Sequence, residues 1–320
     1  MRSLRKVGMF RSAAIARSLI AISFLAKSGA ALAATTSVSF YVSGHEDDWY
    51  LFFSKGAVDD SLKATNKTVF IYFTAGDGGC GDSCPSPFNG IPYYKGREQG
   101  SVNAVWFLAS MKGLQPQQAT SSTVTMNGHP VIRYSVPATS FAGPFASYFL
   151  RLPDGYMGDG TPATGNQSLL KLRASQISVM DAIDGSTSYT SWTDLVNTVQ
   201  AIVKSEATGI GTVVINTHDP NETINPGGHS DHYATGAAMQ AVATAIPCIT
   251  SNYYTDDANL SRPQNLTTVY SNMQSALTGI GQSVMANRGF TSEFKFFLDK
   301  LIGKNYFRTV QGVSGGSCAF

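Results

Sequence analysis

The chain has 320 residues, 43% of them hydrophobic and 14% charged, with a formal net charge of +2. Six of its 23 basic residues and none of its 21 acidic ones fall within residues 1–34, so the remainder carries a net charge of −4. With no basic patch left, the balance argues against nucleic-acid binding, and the apolar content is enough to bury a full core.

The chain opens on Arg2, Arg5, Lys6 and Arg11, ahead of an apolar run centred on Leu19–Ala26 and a small-x-small site at Ala31-Leu32-Ala33. This pattern predicts a secretory signal peptide over residues 1–34, cleaved after Ala33 or Ala34, with residues 35–320 as a single domain. No later stretch reaches about 18 apolar residues, so no transmembrane segment is expected after cleavage. The expected location is secreted or periplasmic. An even count of four cysteines suggests two disulfides in such a setting, Cys80 with Cys84 and Cys248 with Cys318; a four-thiolate zinc site is the competing reading.

Ser37–Val42 reads as a buried strand, and the run from Trp49 to Phe53 as the first turns of a helix. Lys67–Phe73 predicts a second strand opening into the glycine-rich loop Thr74-Ala75-Gly76-Asp77, which continues to about Tyr94. A helix follows from Arg97 through Leu108, then a hairpin over Thr123–Tyr134 turning at Asn127-Gly128, then loops to Gly165. Thr193–Glu206 is an amphipathic helix, Ile210–Asn216 a strand, and Tyr233–Ala245 a helix rich in small residues. A strand around Cys248–Thr250 and a helix over Asn265–Leu277 close the series. Strands alternating with helices predict an α/β fold: a Rossmann-like, mostly parallel sheet flanked by helices, with a β-hairpin and loop insertion. Gly312-Val313-Ser314-Gly315-Gly316 matches a nucleophile elbow but has no room for the helix and histidine that motif needs. The pairs Tyr93-Tyr94 and Tyr253-Tyr254 could stack on sugar rings or simply pack.

Four of the five histidines lie in two regions, each at the carboxyl end of a predicted strand: His45 in one, His218, His229 and His232 in the other. Ligands in open α/β sheets bind at those ends. Asp47 and Asp48 beside His45 could be first-turn acids favoured by a helix dipole, or a metal ligand and a proton carrier. The order His45-Glu46-Asp47-Asp48 after the first strand and His229-Ser230-Asp231-His232 opening a late helix resembles the PIG-L/LmbE-like zinc-dependent N-acetylglucosaminyl deacetylases. Thr74-Ala75-Gly76-Asp77 resembles the Thr-x-Gly-Asp loop of that family, and Arg97-Glu98 its Arg-x-x-Glu helix start, with Gly100 at the acid's usual place. The resemblance implies one Zn2+ held by His45, Asp48 and His232, and Asp47 as general base. It implies His229 as oxyanion stabiliser or proton donor oriented by Asp231, and Arg97 as a positioner of sugar or carboxylate. The implied substrate is an N-acetylated sugar or glycoconjugate. Glu46 and Ser230 stand where the family usually has proline, and Gly227 where mycothiol-pathway relatives have tyrosine.

Overall fold

Alternating strand and helix signals give one eight-stranded sheet in which five neighbouring strands run parallel. The structure, a computed structural model, describes residues 32–81, 91–111, 118–139, 142–284, 291–313 and 317–319. The predicted signal peptide up to residue 31, Cys84 as the expected partner of Cys80, and Ser314–Gly316 of the tail motif lie outside the described residues.

In chain order the elements are β1 (Ser37–Ser43), α1 (Asp48–Phe52), α2 (Ser54–Ser61), β2 (Asn66–Thr74) and α3 (Tyr93–Ser110). There follow β3 (Thr120–Met126), β4 (His129–Val136), β5 (Phe145–Leu152), α4 (Leu169–Arg173), β6 (Met180–Asp181) and β7 (Ser188–Tyr189). The chain continues through α5 (Trp192–Ala207), β8 (Thr212–His218), α6 (Ser230–Ala245) and β9 (Thr250–Tyr254). It closes with α7 (Thr268–Ser283), α8 (Thr291–Lys300) and β10 (Phe307–Val310). The sheet order is β10-β9-β8-β1-β2-β5-β4-β3, with β10 antiparallel at one edge and β4 and β3 antiparallel at the other. The fold class expected from the sequence is the one observed.

The central strands are apolar on both faces because both are covered. Val38, Phe40 and Val42 of β1 and Val69, Ile71 and Phe73 of β2 pack with α5 and α6. Tyr41, Phe70 and Tyr72, their alternating neighbours, pack on the other face with α1, α2 and α3. β5 lies inside the stretch read as loop; its Ser147 and Arg151 break the apolar run, yet it pairs with β2 at the sheet's centre. The hairpin turns at Asn127-Gly128 as expected and extends the sheet through β4. Both tyrosine pairs are buried, so they pack rather than present rings to a sugar. Cys248 and Cys318 are joined as a disulfide across 70 residues.

One buried carboxylate ties α5 to three strands. Glu206 pairs with Lys67 of β2, with Arg133 Nε of β4 at 3.1 Å, and accepts from the Tyr148 hydroxyl of β5. Burial alone would raise its pKa, but the Lys67 ammonium, the Tyr148 hydroxyl and Arg133 outweigh it and hold the group below its ordinary 4.5. A depressed carboxylate stabilises the fold above its unfolded pKa, and that contribution is withdrawn as pH falls through the folded value. Glu206→Gln should therefore cost about 3 kcal/mol at pH 7, the scale of a broken buried pair. Urea unfolding between pH 7 and pH 3 should show the difference narrowing below pH 4.5; a pH-independent gap would contradict this account.

Candidate active site

Parallel strands place their carboxyl ends on one rim, and the site is assembled there from the segments after β1, β5, β8 and β9. After β1 the chain turns through Gly44–Asp47 into α1. The side chain of Asp47 does not cap this helix; its Oδ1 accepts from Arg97 Nη2 and its Oδ2 from Gln282 Nε2 at 3.2 Å. Asp48 Oδ2 accepts from the His45 backbone N–H at 2.8 Å, which fixes the turn. α6 starts at Ser230, with His229 as its cap residue accepting from the Asp231 N–H through Nδ1 at 3.2 Å.

The three residues expected to hold a metal converge. His45 Nδ1 lies 3.2 Å from His232 Nε2, His232 Nε2 lies 3.1 Å from Asp48 Oδ1, and His45 Nδ1 lies 3.6 Å from Asp48 Oδ2. Ligands on a tetrahedral ion with bonds of about 2.1 Å stand about 3.4 Å apart, so this donor set fits a divalent metal. All three groups are buried. Behind each imidazole stands a carboxylate, the arrangement that orients metal-ligating histidines. His45 Nε2 faces Asp231 at 3.4 Å and Asp154 at 3.6 Å, and His232 Nδ1 faces Asp256 at 3.1 Å. His218 fills the floor, 3.0 Å from both Asp48 and Asp256, its ring stacked on His232 with centroids 4.0 Å apart.

Asp154, Asp256 and the role of His218 are not among the groups expected from the sequence. Asp154 follows the unrecognised β5, and Asp256 follows β9, which runs beyond the expected end at Thr250 to Tyr254. An acid just past a parallel strand was the available signal in both cases. The Thr74–Asp77 loop proves structural: Asp77 accepts from the Asp154 N–H at 2.7 Å and so holds that segment in place. Gly76 has φ +52°, and any Cβ there would strike Glu46 and Arg97, so the glycine makes room for the hydrogen bond from Arg97 Nε to Glu46.

α3 begins at Tyr93, four residues before the expected start, which puts Arg97 in its second turn. Arg97 grips Glu46 and Asp47, while the adjacent Glu98 grips Arg151 at 2.6 and 2.8 Å. Arg151 has φ +57° at the end of β5, a costly conformation for a non-glycine residue, and its pairs with Glu98 and Asp184 hold it there. Gly100, the departure from the family pattern, meets the backbone of Gly281, so α3 and α7 cross closely enough for Gln282 to reach Asp47. Asp231 is nearer to His45 than to His229, at 3.4 against 3.7 Å, and the backbone rather than its carboxylate orients the His229 ring.

Electrostatics separate the histidines. Burial disfavours a charged His232, but Asp48 and Asp256 outweigh it and raise its pKa to about 10. His229 is pushed down to about 4 by burial and by His45. A nearby metal cation would push His229 the same way, so it is neutral at pH 7, and because Nδ1 accepts a hydrogen bond its proton sits on Nε2. Burial raises Glu46 to about 8 against the pull of Arg97.

No protein-family model matches the chain, and no curated protein matches it. Among solved structures it is similar to the N,N'-diacetylchitobiose deacetylase of Pyrococcus horikoshii, with 11% identity, 87% of this chain and 85% of that one covered, and a TM-score of 0.46. A zinc-inhibited form of teicoplanin deacetylase Orf2 matches at 13% identity over 81% of this chain and 89% of that one, TM-score 0.43. GalB, a 4-carboxy-2-hydroxymuconate hydratase of Pseudomonas putida KT2440, matches at 11% identity over 86% and 96%, TM-score 0.38. At these values the likeness identifies no substrate.

Asp256→Asn keeps the size of the group behind His232 and removes its charge. Zinc affinity, measured by competition with a chromophoric chelator, should fall about 10- to 100-fold. An unchanged affinity would show that the Asp256 charge does not tune His232 as a ligand.

Proposed function

We propose that the chain is an exported, zinc-dependent amide hydrolase that removes the acyl group of an N-acylated amino sugar or glycoconjugate, N-acetylglucosamine being the simplest form. The observation that carries this reading is the convergence of His45, Asp48 and His232 within 3.6 Å of one another, with Asp47 beside them but engaged elsewhere. Export is supported by the charge and apolar pattern of residues 1–34.

The ion those residues would hold supplies an acidified water and polarises the amide carbonyl. Asp47 lines the same cavity as His45, Asp48 and His232, and its two carboxylate oxygens accept from Arg97 and Gln282. Held by Arg97 and Gln282, it takes the proton of the attacking water as the water oxygen bonds to the carbonyl carbon. His229, neutral and protonated on Nε2, donates to the oxyanion that develops there. The C–N bond then breaks, Asp47 returns the proton to the departing amine, and a carboxylate and an amino sugar leave. Arg97 and Asp154 on the rim of the cavity meet the sugar hydroxyls.

Release of primary amine from N-acetylglucosamine and its oligomers should depend on zinc and stop with chelator. Asp47→Asn should bind zinc as the wild type does and lose about 10²- to 10⁴-fold in kcat. Near-normal turnover in that variant would remove Asp47 from its assigned role. His229→Ala should cost about 10²- to 10³-fold in kcat, as expected for one oxyanion donor.

A further inference from the structure

We infer that the amide cleaved here carries an acyl group longer than acetyl, lying along an apolar wall formed by Leu51, Phe52, Phe296, Phe297 and Leu301. The inference rests on the amide-hydrolase reading above. The cavity at the site has a volume of about 230 Å³ and two unlike sides. One carries His229, Arg97 and Asp154, which can bond a polar substrate. The other is lined by those five apolar side chains, with Asp257 also among the lining groups.

The apolar side starts at the ligands themselves. The Phe52 ring stands 6.0 Å from the His232 ring and 6.1 Å from that of His218. Leu51 and Phe52 come from α1, one turn past Asp47 and Asp48. From there the wall continues to Leu301 and Phe297, whose backbones are joined by a 3.0 Å hydrogen bond, and ends at Phe296. The Phe296 ring lies 6.2 Å from that of Phe297 and is 45% exposed. An exposed aromatic ring at the end of a lined cavity is the kind of apolar surface that marks a contact.

An amino sugar presents hydroxyls in all directions and needs the polar side. Its N-acyl group is then the part left for the apolar side. A methyl group would touch only the inner end of that wall, beside Phe52. An extended chain would reach Phe297 and Phe296 and remove them from water, at a gain proportional to the area covered.

The test uses the zinc-loaded protein and glucosamine acylated with acetyl, butyryl, hexanoyl or octanoyl. The value of kcat/KM should rise about fourfold per added methylene until the wall is filled, the rate equivalent of one buried CH2. Phe296→Ala with Phe297→Ala should flatten that slope, with folding checked by circular dichroism. A parallel series keeps the acetyl group and lengthens an alkyl aglycone from methyl to octyl. A gain confined to that second series would assign the wall to the aglycone and overturn the inference, as would no gain in either series while acetyl is still released. Calorimetric binding of the acyl series to the zinc-loaded Asp47→Asn protein separates this from the hydrolase reading. Affinity rising with chain length would uphold the wall even if no amide is turned over, and flat affinity would remove it.

Discussion

The carboxylate of Asp48 is the interaction on which the site depends. It is buried among three imidazoles contributed by three different elements: His45 after β1, His218 at the end of β8 and His232 in α6. Removing a carboxylate from water is costly unless opposite charge or donors meet it. Here the protein meets it from several sides, and the same contacts link the segment after β1 to the end of β8 and to α6. Burial acts to raise the Asp48 pKa, and His232, His218 and His45 overcome it and hold the group well below the ordinary carboxylate range.

Around this centre the protein gathers several carboxylates. Asp154, Asp231 and Asp256 stand behind the histidines in one small volume with Asp48. A cation held by His45, Asp48 and His232 would find its imidazole ligands already oriented by these carboxylates.

α3 organises the other half of the site. Consecutive residues on one helix, Arg97 and Glu98, hold Asp47 after β1 and Arg151 at the end of β5. The close crossing at Gly100 and Gly281 then lets α7 contribute Gln282 from the far side. Asp47 is thus held by two donors from two helices, which confines its carboxylate beside the candidate metal ligands. The same packing of α1 with the segment around Leu301 sets the apolar side of the cavity next to the polar one.

The sequence by itself determined the alternation of elements, the parallel core and the two histidine-bearing loops. Each is local: runs of Phe40, Val42, Val69 and Ile71 are apolar whatever their neighbours, and His45 and His232 follow strand and helix signals in their own segments. The motif order also pointed to Asp47, Asp48, His229, Asp231 and Arg97, which the fold brings to one rim. What only the tertiary structure decided were the groups whose roles exist through partners far along the chain. Asp154 and Asp256 are ordinary loop acids until β5 and β9 align beside β2 and β8. Gln282 and Phe296 carry no signal in sequence, because a hydrogen bond to Asp47 or a place on a cavity wall depends on helix crossings that involve residues more than 100 positions apart. Local physics wrote the elements; the sum of long-range contacts chose which side chains meet.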